Sequence, residues 1–452
     1  MVVPKEYENR SLYHFTHIEN LDSILKHGLL SQNEKSKLGI NHKDISRQRI
    51  QEKRSNTIIT CGPGGSVHDY VPLFFCKKSP MLSSVIYNKK ADQKCIIYLE
   101  FPIQIMDKYE MVFSDRSANE ALNPKFYDDT SNIKMLNWEV IDTSKWNDEY
   151  DIPGQTPIAQ QKQCEALFYK KLSLSSLKKV VVFNEEARKN VCSLFASNGY
   201  DVPFITVEPD DYYYMGSSIP RYGPHDIKSH FDDTCNYIFE NSRNSRSQRF
   251  KSLSELLNAL RTNMSCLPET AELIGLKTDN SAHHEDVANH TKRVVSKLKG
   301  IKEFSKLDSV DTALVEVAAY LHDIGKGPKE RLRSNNGIQK VNPDYPVNGL
   351  LMLKRIFTEE IIPLRERSVR LICKLVCYHD LVGDIVTKGR REEELKQIVC
   401  DENELNMLIA ISKADMKSID PSWLSSNEND IEKLRSNILT NLKAELKEDK
   451  LQ

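Results

Sequence analysis

His290, His322, Asp323 and Asp415 have the residue types and the spacing to hold a divalent cation. Imidazole nitrogens and carboxylate oxygens suit such ions. A bound ion polarises a phosphate oxygen and acidifies a bound water, so the chemistry on offer is metal-assisted attack on phosphate. The adjacent pair His322 and Asp323 ends the apolar run LVEVAAYLHDIGKG and shares one ion only with partners from other segments. His290 lies on a helical face with Val287, Val294 and Leu298, and Asp415 on one with Leu408 and Ser412, so both point into a core. An unpaired carboxylate is expensive to bury, and this ordered set makes sense when a cation collects it. One histidine alone on such a face would be ordinary core. The four in order, followed by the Gly-Lys of HDIGKG, are not.

Over roughly residues 275–425 this pattern resembles the HD superfamily of phosphohydrolases, with His290 in HTKRV, His322 and Asp323 in YLHDIGKG and Asp415 in KADMKS at the ligand positions. The resemblance implies that Lys326 sits near a substrate phosphate. It also implies that His379 and Asp380, in VCYHDLVG, line the pocket as a phosphate contact or proton donor. The two-metal branch carries an extra histidine where NPDYPVNGLLML has Tyr345, so a single Mn²⁺, Mg²⁺ or Fe²⁺ is expected.

Helices must bring these ligands together, and after residue 215 the chain is almost entirely helical in pattern. Before it, the β-rich runs YVPLFFC (70–76), CIIYLEFPI (95–103), KVVVFN (179–184) and PFITVEP (203–209) alternate with helical stretches, an α+β texture. The stretch 216–248, with GSSIPRYGPHD and NSRNSRSQ, is rich in turn formers and reads as a linker between domains at 1–215 and 249–452. A chain of 452 residues exceeds one ordinary core. Its 39% hydrophobic and 28% charged residues are those of a globular protein, and no apolar stretch reaches the ~20 residues of a membrane-spanning helix. MVVPKEYENR lacks a signal-peptide pattern and the ten cysteines form no CxxC pair, so a cytoplasmic location with reduced thiols and no membrane partner is expected. The net charge of −1 excludes a general basic coat, and nucleic-acid binding must rest on a local patch.

Near the N-terminus, SLYHFTHIENLDSILKHGLL contains a T-x-x-E capping box, Thr16 and Glu19. It predicts a helix through Ile18, Leu21, Ile24 and Leu25 that closes at Gly28. The residues His14-Phe15-Thr16 and the helix start offer imidazole, hydroxyl and N–H groups to a polar ligand such as a nicotinamide amide or a phosphate. Residues 33–54 form a local basic segment, with Lys35, Lys37, Lys43, Arg47, Arg49, Lys53 and Arg54 against Glu34, Asp44 and Glu52.

Taken in order, YHFTHIENLDSIL, ISRQR, DYVPLFFCKKSPML and QCEALF resemble the DarT family, DNA ADP-ribosyltransferases that use NAD⁺ to modify a base in single-stranded DNA; the resemblance spans roughly residues 10–210. It implies an α+β domain of the ADP-ribosyltransferase type, a split β-sheet gripping NAD⁺, followed by the all-α HD-type domain. It implies NAD⁺ contacts from His14, Thr16, Asn20, Leu30 and Tyr70, a catalytic arginine at Arg49 or Arg47, and a catalytic glutamate at Glu165. Relatives have paired arginines where Gln48 separates two here.

The chemistry asks for such residues independently. Breaking the nicotinamide–ribose bond passes through an oxocarbenium-like state that a carboxylate stabilises, and the attacking ring nitrogen must lose a proton. A base inside a duplex is out of reach, so aromatics and cations are expected to line a path for single strands. Lys77, Lys78 and Arg116, with Phe74, Phe75 and the segment SDRSANEALNPKFYDD, are the candidates.

Three functions are expected in turn. The first is NAD-dependent ADP-ribosylation of a thymidine or guanosine base in single-stranded DNA, by a toxin or anti-phage effector with an antitoxin as a candidate partner; the HD half then regulates it or adds phosphohydrolase activity. The second makes the metal domain the working enzyme, a metal-dependent nucleotide or nucleic-acid phosphohydrolase, with the N-terminal domain as its recognition module. The third makes it a nucleotide sensor that hydrolyses nothing.

Overall fold

The computed structural model describes residues 2–46, 48–118, 124–146, 150–151, 155–243, 248–279, 285–329 and 337–448, with the side chains of 48, 49 and 445–448 left aside. The chain forms two compact units, Met1–Ile219 and Pro220–Gln452.

In the first unit an eight-stranded sheet is built from β1 (Ser11–His17), β2 (Tyr70–Phe74), β3 (Ile96–Pro102), β4 (Met111–Ser114), β5 (Phe126–Tyr127), β6 (Glu165–Tyr169), β7 (Lys179–Val182) and β8 (Ile205–Val207). Their spatial order is β8-β7-β3-β1-β2-β6-β4-β5. Neighbours are antiparallel except β7 and β8. The run CIIYLEFPI becomes the central β3, whose Ile96, Ile97, Tyr98, Leu99 and Phe101 are fully buried. A strand flanked on both faces by core has no exposed side to alternate with, which is why the run is nearly continuous in apolar residues. Truncating one of these to alanine removes about 2–5 kcal/mol.

β1 is registered with β3 from Ser11 opposite Pro102 to His17 opposite Ile96, and β2 with β6 from Tyr70 opposite Tyr169 to Phe74 opposite Glu165. Between β1 and β2 the register among the described residues is a single pair, Tyr13 opposite Phe74. Pro72, in the middle of β2, has no N–H to give to a ladder, so the sheet parts along this seam.

The helices of this unit are α1 (Leu21–His27), α2 (Gln32–Lys37), α3 (Gln48–Asn56), α4 (Pro80–Tyr87) and α5 (Glu185–Ser197). α5 buries Ala187, Val191 and Phe195, at steps of four, and packs on α1, which buries Leu21, Ile24 and Leu25. The expected cap at Thr16 is corrected, because β1 carries on through His17 and holds Thr16 in the strand. His17 takes over the cap, its Nδ1 accepting the Glu19 N–H at 3.2 Å. Gly28 closes α1 as expected, at a φ of 76° that favours glycine.

The second unit is helical, and its main elements are α6 (Pro224–Asn241), α7 (Leu253–Thr262), α8 (Val287–Leu298), α9 (Ser309–Leu321), α10 (Tyr345–Arg355), α11 (Glu366–Tyr378), α12 (Leu381–Lys388), α13 (Glu402–Ile419) and α14 (Pro421–Glu448). α6 falls inside 216–248 and corrects the expectation of a linker there. It buries Ile227, Phe231, Cys235 and Ile238 in the core of this unit, and its polar residues form the outer face. Pro224 opens it at a first-turn position where the missing N–H costs nothing.

α13 runs through the core, buried from Leu405 to Ala414, and packs against α8, α12 and α14. α9 ends at Leu321 with His322 as its C-cap, and the chain turns through Asp323-Ile324-Gly325. A Cβ on Gly325 would lie 1.9 Å from the Tyr345 carbonyl oxygen and 2.5 Å from the Gly349 nitrogen. The glycine of HDIGKG is therefore a packing requirement that lets this turn lie against α10.

Candidate functional site

A cavity of about 370 Å³ lies along the split between β1 and β2. His14, Thr16, Asn20, Leu30 and Tyr70 all line it, together with Glu165. Alternation along a strand puts His14 and Thr16 on one face of β1, and Tyr70, Pro72 and Phe74 on one face of β2.

Glu165 opens β6 and its side chain is 4% exposed. Arg54, on α3, grips it with both ends of its guanidinium: Nη1 donates to Oε1 at 2.8 Å and Nη2 to Oε2 at 2.9 Å. The Glu165 N–H donates to Ser114 Oγ at 3.2 Å, which ties the strand at that point to β4. Sequence reasoning missed Arg54 as the partner. A signal was present, since Ile50 and Arg54 are four apart on one helix and both line the cavity. Of the expected arginines, Arg47 lies outside the described residues, and Arg49 is on α3 with its side chain outside them.

His14 Nδ1 is 2.9 Å from the Pro72 carbonyl oxygen. Withdrawal from water pushes its pKa down to about 4, with the charge of Lys35 helping, so it is neutral near pH 7. With Nδ1–H donating across the seam, Nε2 is left as an acceptor. The Asn20 amide donates to Thr16 Oγ1 at 2.9 Å and to the Lys43 carbonyl at 3.0 Å, and its Oδ1 accepts the Lys43 N–H at 2.7 Å. Asn20 thus clips the segment before α3 to the end of β1. The Tyr70 hydroxyl donates to the Gly64 carbonyl at 2.7 Å.

The expected nucleic-acid cations are not brought to this cavity. Lys77 and Lys78 line a different recess, with Lys77 Nζ 3.2 Å from Asp211 and Lys78 Nζ donating to the Asp210 carbonyl. Arg116 forks onto its neighbour Asp115 at 3.1 and 2.9 Å. Phe74 lines the cavity, whereas Phe75 packs edge-on against Phe113 and Trp138.

In the second unit, His290 on α8, His322 and Asp323 after α9, and Asp415 on α13 converge. Ligand atoms of His290, His322 and Asp323 lie within 4.8 Å of one another. Asp415 Oδ1 lies 3.0 Å from His290 Nε2 and 3.9 Å from His322 Nε2. The Ala319 carbonyl faces His322 Nδ1 at 2.7 Å, taking that N–H and turning Nε2 toward the other three residues. His322 Nε2 and Asp323 Oδ1 are buried without a hydrogen-bond partner among the described residues. Such orphans are uncommon, and a nitrogen and a carboxylate oxygen orphaned together fit a divalent cation.

Burial opposes the charge on Asp323, yet His322 and Lys326 hold its pKa well below the usual carboxylate range. Lys326 Nζ is 2.7 Å from Asp323 Oδ2. His379 Nε2 is 3.2 Å from the Tyr345 hydroxyl, which donates to Asp380. Lys326, His379 and Asp380 therefore surround this histidine–aspartate cluster, and Tyr345 joins them.

A split mixed sheet holding a buried arginine–glutamate pair in its cleft defines a transferase-type unit, and the helical half carries an HD domain: an HD domain model matches residues 287–408. The family described as ssDNA thymidine ADP-ribosyltransferase, DarT, matches residues 13–214. A DNA ADP-ribosyl transferase of Thermus sp. (strain 2.9) is 30% identical over 193 residues, covering 41% of this chain and 88% of that protein. One of Thermus aquaticus is 28% identical over 191 residues, covering 41% of this chain and 80% of the relative. The structure of Thermus sp. 2.9 DarT in complex with NAD⁺ aligns at 28% identity and a TM-score of 0.38, over 47% of this chain and 100% of that one. The chain belongs to the DarT family of DNA ADP-ribosyltransferases and is an enzyme of that class.

Proposed function

We propose that the first unit binds NAD⁺ in the cavity at the sheet split and transfers ADP-ribose to a base of single-stranded DNA. The buried Arg54–Glu165 pair in that cavity carries the reading. Nicotinamide leaves with the electrons of its bond to ribose, and the Glu165 carboxylate faces the positive charge that develops there. A ring nitrogen of the base bonds to the anomeric carbon, and its proton passes to the carboxylate or to water. Arg54 fills the arginine role expected of Arg49 or Arg47, orienting Glu165 with two N–H groups. His14, Thr16, Asn20, Leu30 and Tyr70 form the NAD⁺ wall, with His14 at the nicotinamide end. The description of the family model supports single-stranded DNA as acceptor and favours thymidine over guanosine.

The second unit holds one divalent cation, Mn²⁺, Mg²⁺ or Fe²⁺, on His290, His322, Asp323 and Asp415. When bound, the ion polarises a phosphate oxygen and acidifies a water. Lys326, His379 and Asp380 face a phosphate there, and this half regulates the transferase or hydrolyses a phosphate ester. In a cytoplasmic setting such a DNA modifier acts as a toxin or anti-phage effector, kept in check by an antitoxin.

The test is incubation with labelled NAD⁺ and mixed single-stranded oligonucleotides, with and without EDTA, beside Glu165→Ala. Label on DNA that vanishes in the variant is expected, and no label with any oligonucleotide sinks the reading. Elemental analysis reads the metal independently: one bound ion is expected, and an undiminished ion in His322→Ala with Asp415→Asn overturns the ligand assignment.

A further inference from the structure

Most cations lining the first unit's cavity are already partnered. Arg54 is spent on Glu165, Lys43 Nζ stands 3.4 Å from Glu19, and Lys90 Nζ donates to the Ser46 carbonyl at 2.8 Å. Lys35 differs: it lines the cavity, and no hydrogen bond or ion pair among the described residues takes its ammonium. The element that carries it is anchored. Ser31 caps α2 through the Glu34 N–H, Asn33 Nδ2 donates to Asp69 at 2.7 Å, and the Ser31 N–H donates to the Lys170 carbonyl at 2.8 Å.

Lys35 lines the cavity together with His14 and His68, and its charge disfavours protonation of both. Asp44 attracts it without forming an ion pair. Withdrawal from water pulls the amino group down to about 8, so it is still mostly charged at neutral pH. An ammonium in that position costs free energy unless a ligand brings an anion to it. NAD⁺ has one anionic part, its diphosphate, and the nicotinamide ring with its positive charge would be repelled.

We propose that Lys35 holds the diphosphate of NAD⁺, a positioning and affinity role for a residue outside the Arg54–Glu165 pair. This rests on the transferase reading above. Burial costs the Lys35 ammonium more than Asp44 returns to it, so Lys35→Gln is expected to melt no lower than the parent chain in the absence of ligand. That separates a binding role from a structural one.

Equilibrium dialysis with NAD⁺, ADP-ribose and nicotinamide tests the assignment on the full chain. ADP-ribose keeps the diphosphate and lacks the nicotinamide. Lys35→Gln is expected to weaken NAD⁺ and ADP-ribose alike by about tenfold, the loss of one charge-assisted hydrogen bond. Nicotinamide binding is unchanged, Lys35→Arg restores most of the affinity, and in turnover the loss appears in KM rather than in kcat. Parent-like binding of ADP-ribose by Lys35→Gln overturns the assignment while leaving the transferase reading standing. A parent chain that binds neither NAD⁺ nor ADP-ribose overturns both.

Discussion

Arg54 and Glu165 form the pair on which the reading of the first unit turns, and their coupling can be measured. The guanidinium meets the carboxylate in a fork at 2.8 and 2.9 Å, with the two side chains 10% and 4% exposed. Substituting Arg54→Met leaves a buried carboxylate without its cation, and Glu165→Met leaves the reverse. Breaking a buried pair from one side costs about 3–5 kcal/mol. In a unit of this size each kcal/mol moves the midpoint by about 2–4 °C, so each single variant is expected to melt roughly 6–20 °C lower. The double variant buries two apolar side chains of fitting length and removes both charges, so it is expected to recover most of that loss. The assay is scanning calorimetry of the full chain, following the transition that moves when NAD⁺ is added, beside labelled-NAD⁺ transfer to oligonucleotides. All three variants are expected to be inactive, so stability and activity part company in the double variant. Additive losses, with a coupling below about 0.5 kcal/mol, would refute the claim that the two residues act as one buried unit.

His14 makes the stability of the first unit depend on pH. Below about pH 6.5 the unfolded chain takes up a proton on this imidazole, and the folded chain refuses it until about pH 4. Stability therefore falls as pH drops through that window, by about 3 kcal/mol when complete. Urea midpoints between pH 7 and 4 measure it; His14→Gln should flatten the slope, and an unchanged slope would show that other groups cause it. Gly325→Ala forces a Cβ against the Tyr345 carbonyl, 1.9 Å away before relaxation, so the second unit should lose about 1–3 kcal/mol or more and bind its metal poorly. A variant with the parent melting point and full metal content would mean that the turn gives way freely.

Much of this protein was legible in the chain because its strongest signals are local or strictly ordered. The apolar runs at 70–76, 95–103, 179–184 and 203–209 each contain a strand, and the faces read for His290 and Asp415 are the faces that meet. Composition misled at 216–248, since turn formers and polar residues also make the outer face of a helix whose inner face is Ile227, Phe231, Cys235 and Ile238. The capping box at Thr16 failed because pairing with β3 extended β1 beyond it, a long-range contact that outweighs a local cap.

The sequence by itself determined the chemistry present: a carboxylate at Glu165, two histidines and two aspartates in the order His290, His322, Asp323, Asp415, and a basic segment from 33 to 54. Which members of that segment matter was decided only in three dimensions. Seven cations stand there with little to separate them, yet the face of α3 that lines the cavity delivers Arg54 to Glu165, while α2 delivers Lys35 to the cavity. The seam that creates the cavity has a local cause, a proline in β2, but its consequence depends on β1 lying alongside. Hydrogen-bond registry and helix rotation are set by packing between distant segments, and pairing of charges follows from them rather than from spacing along the chain.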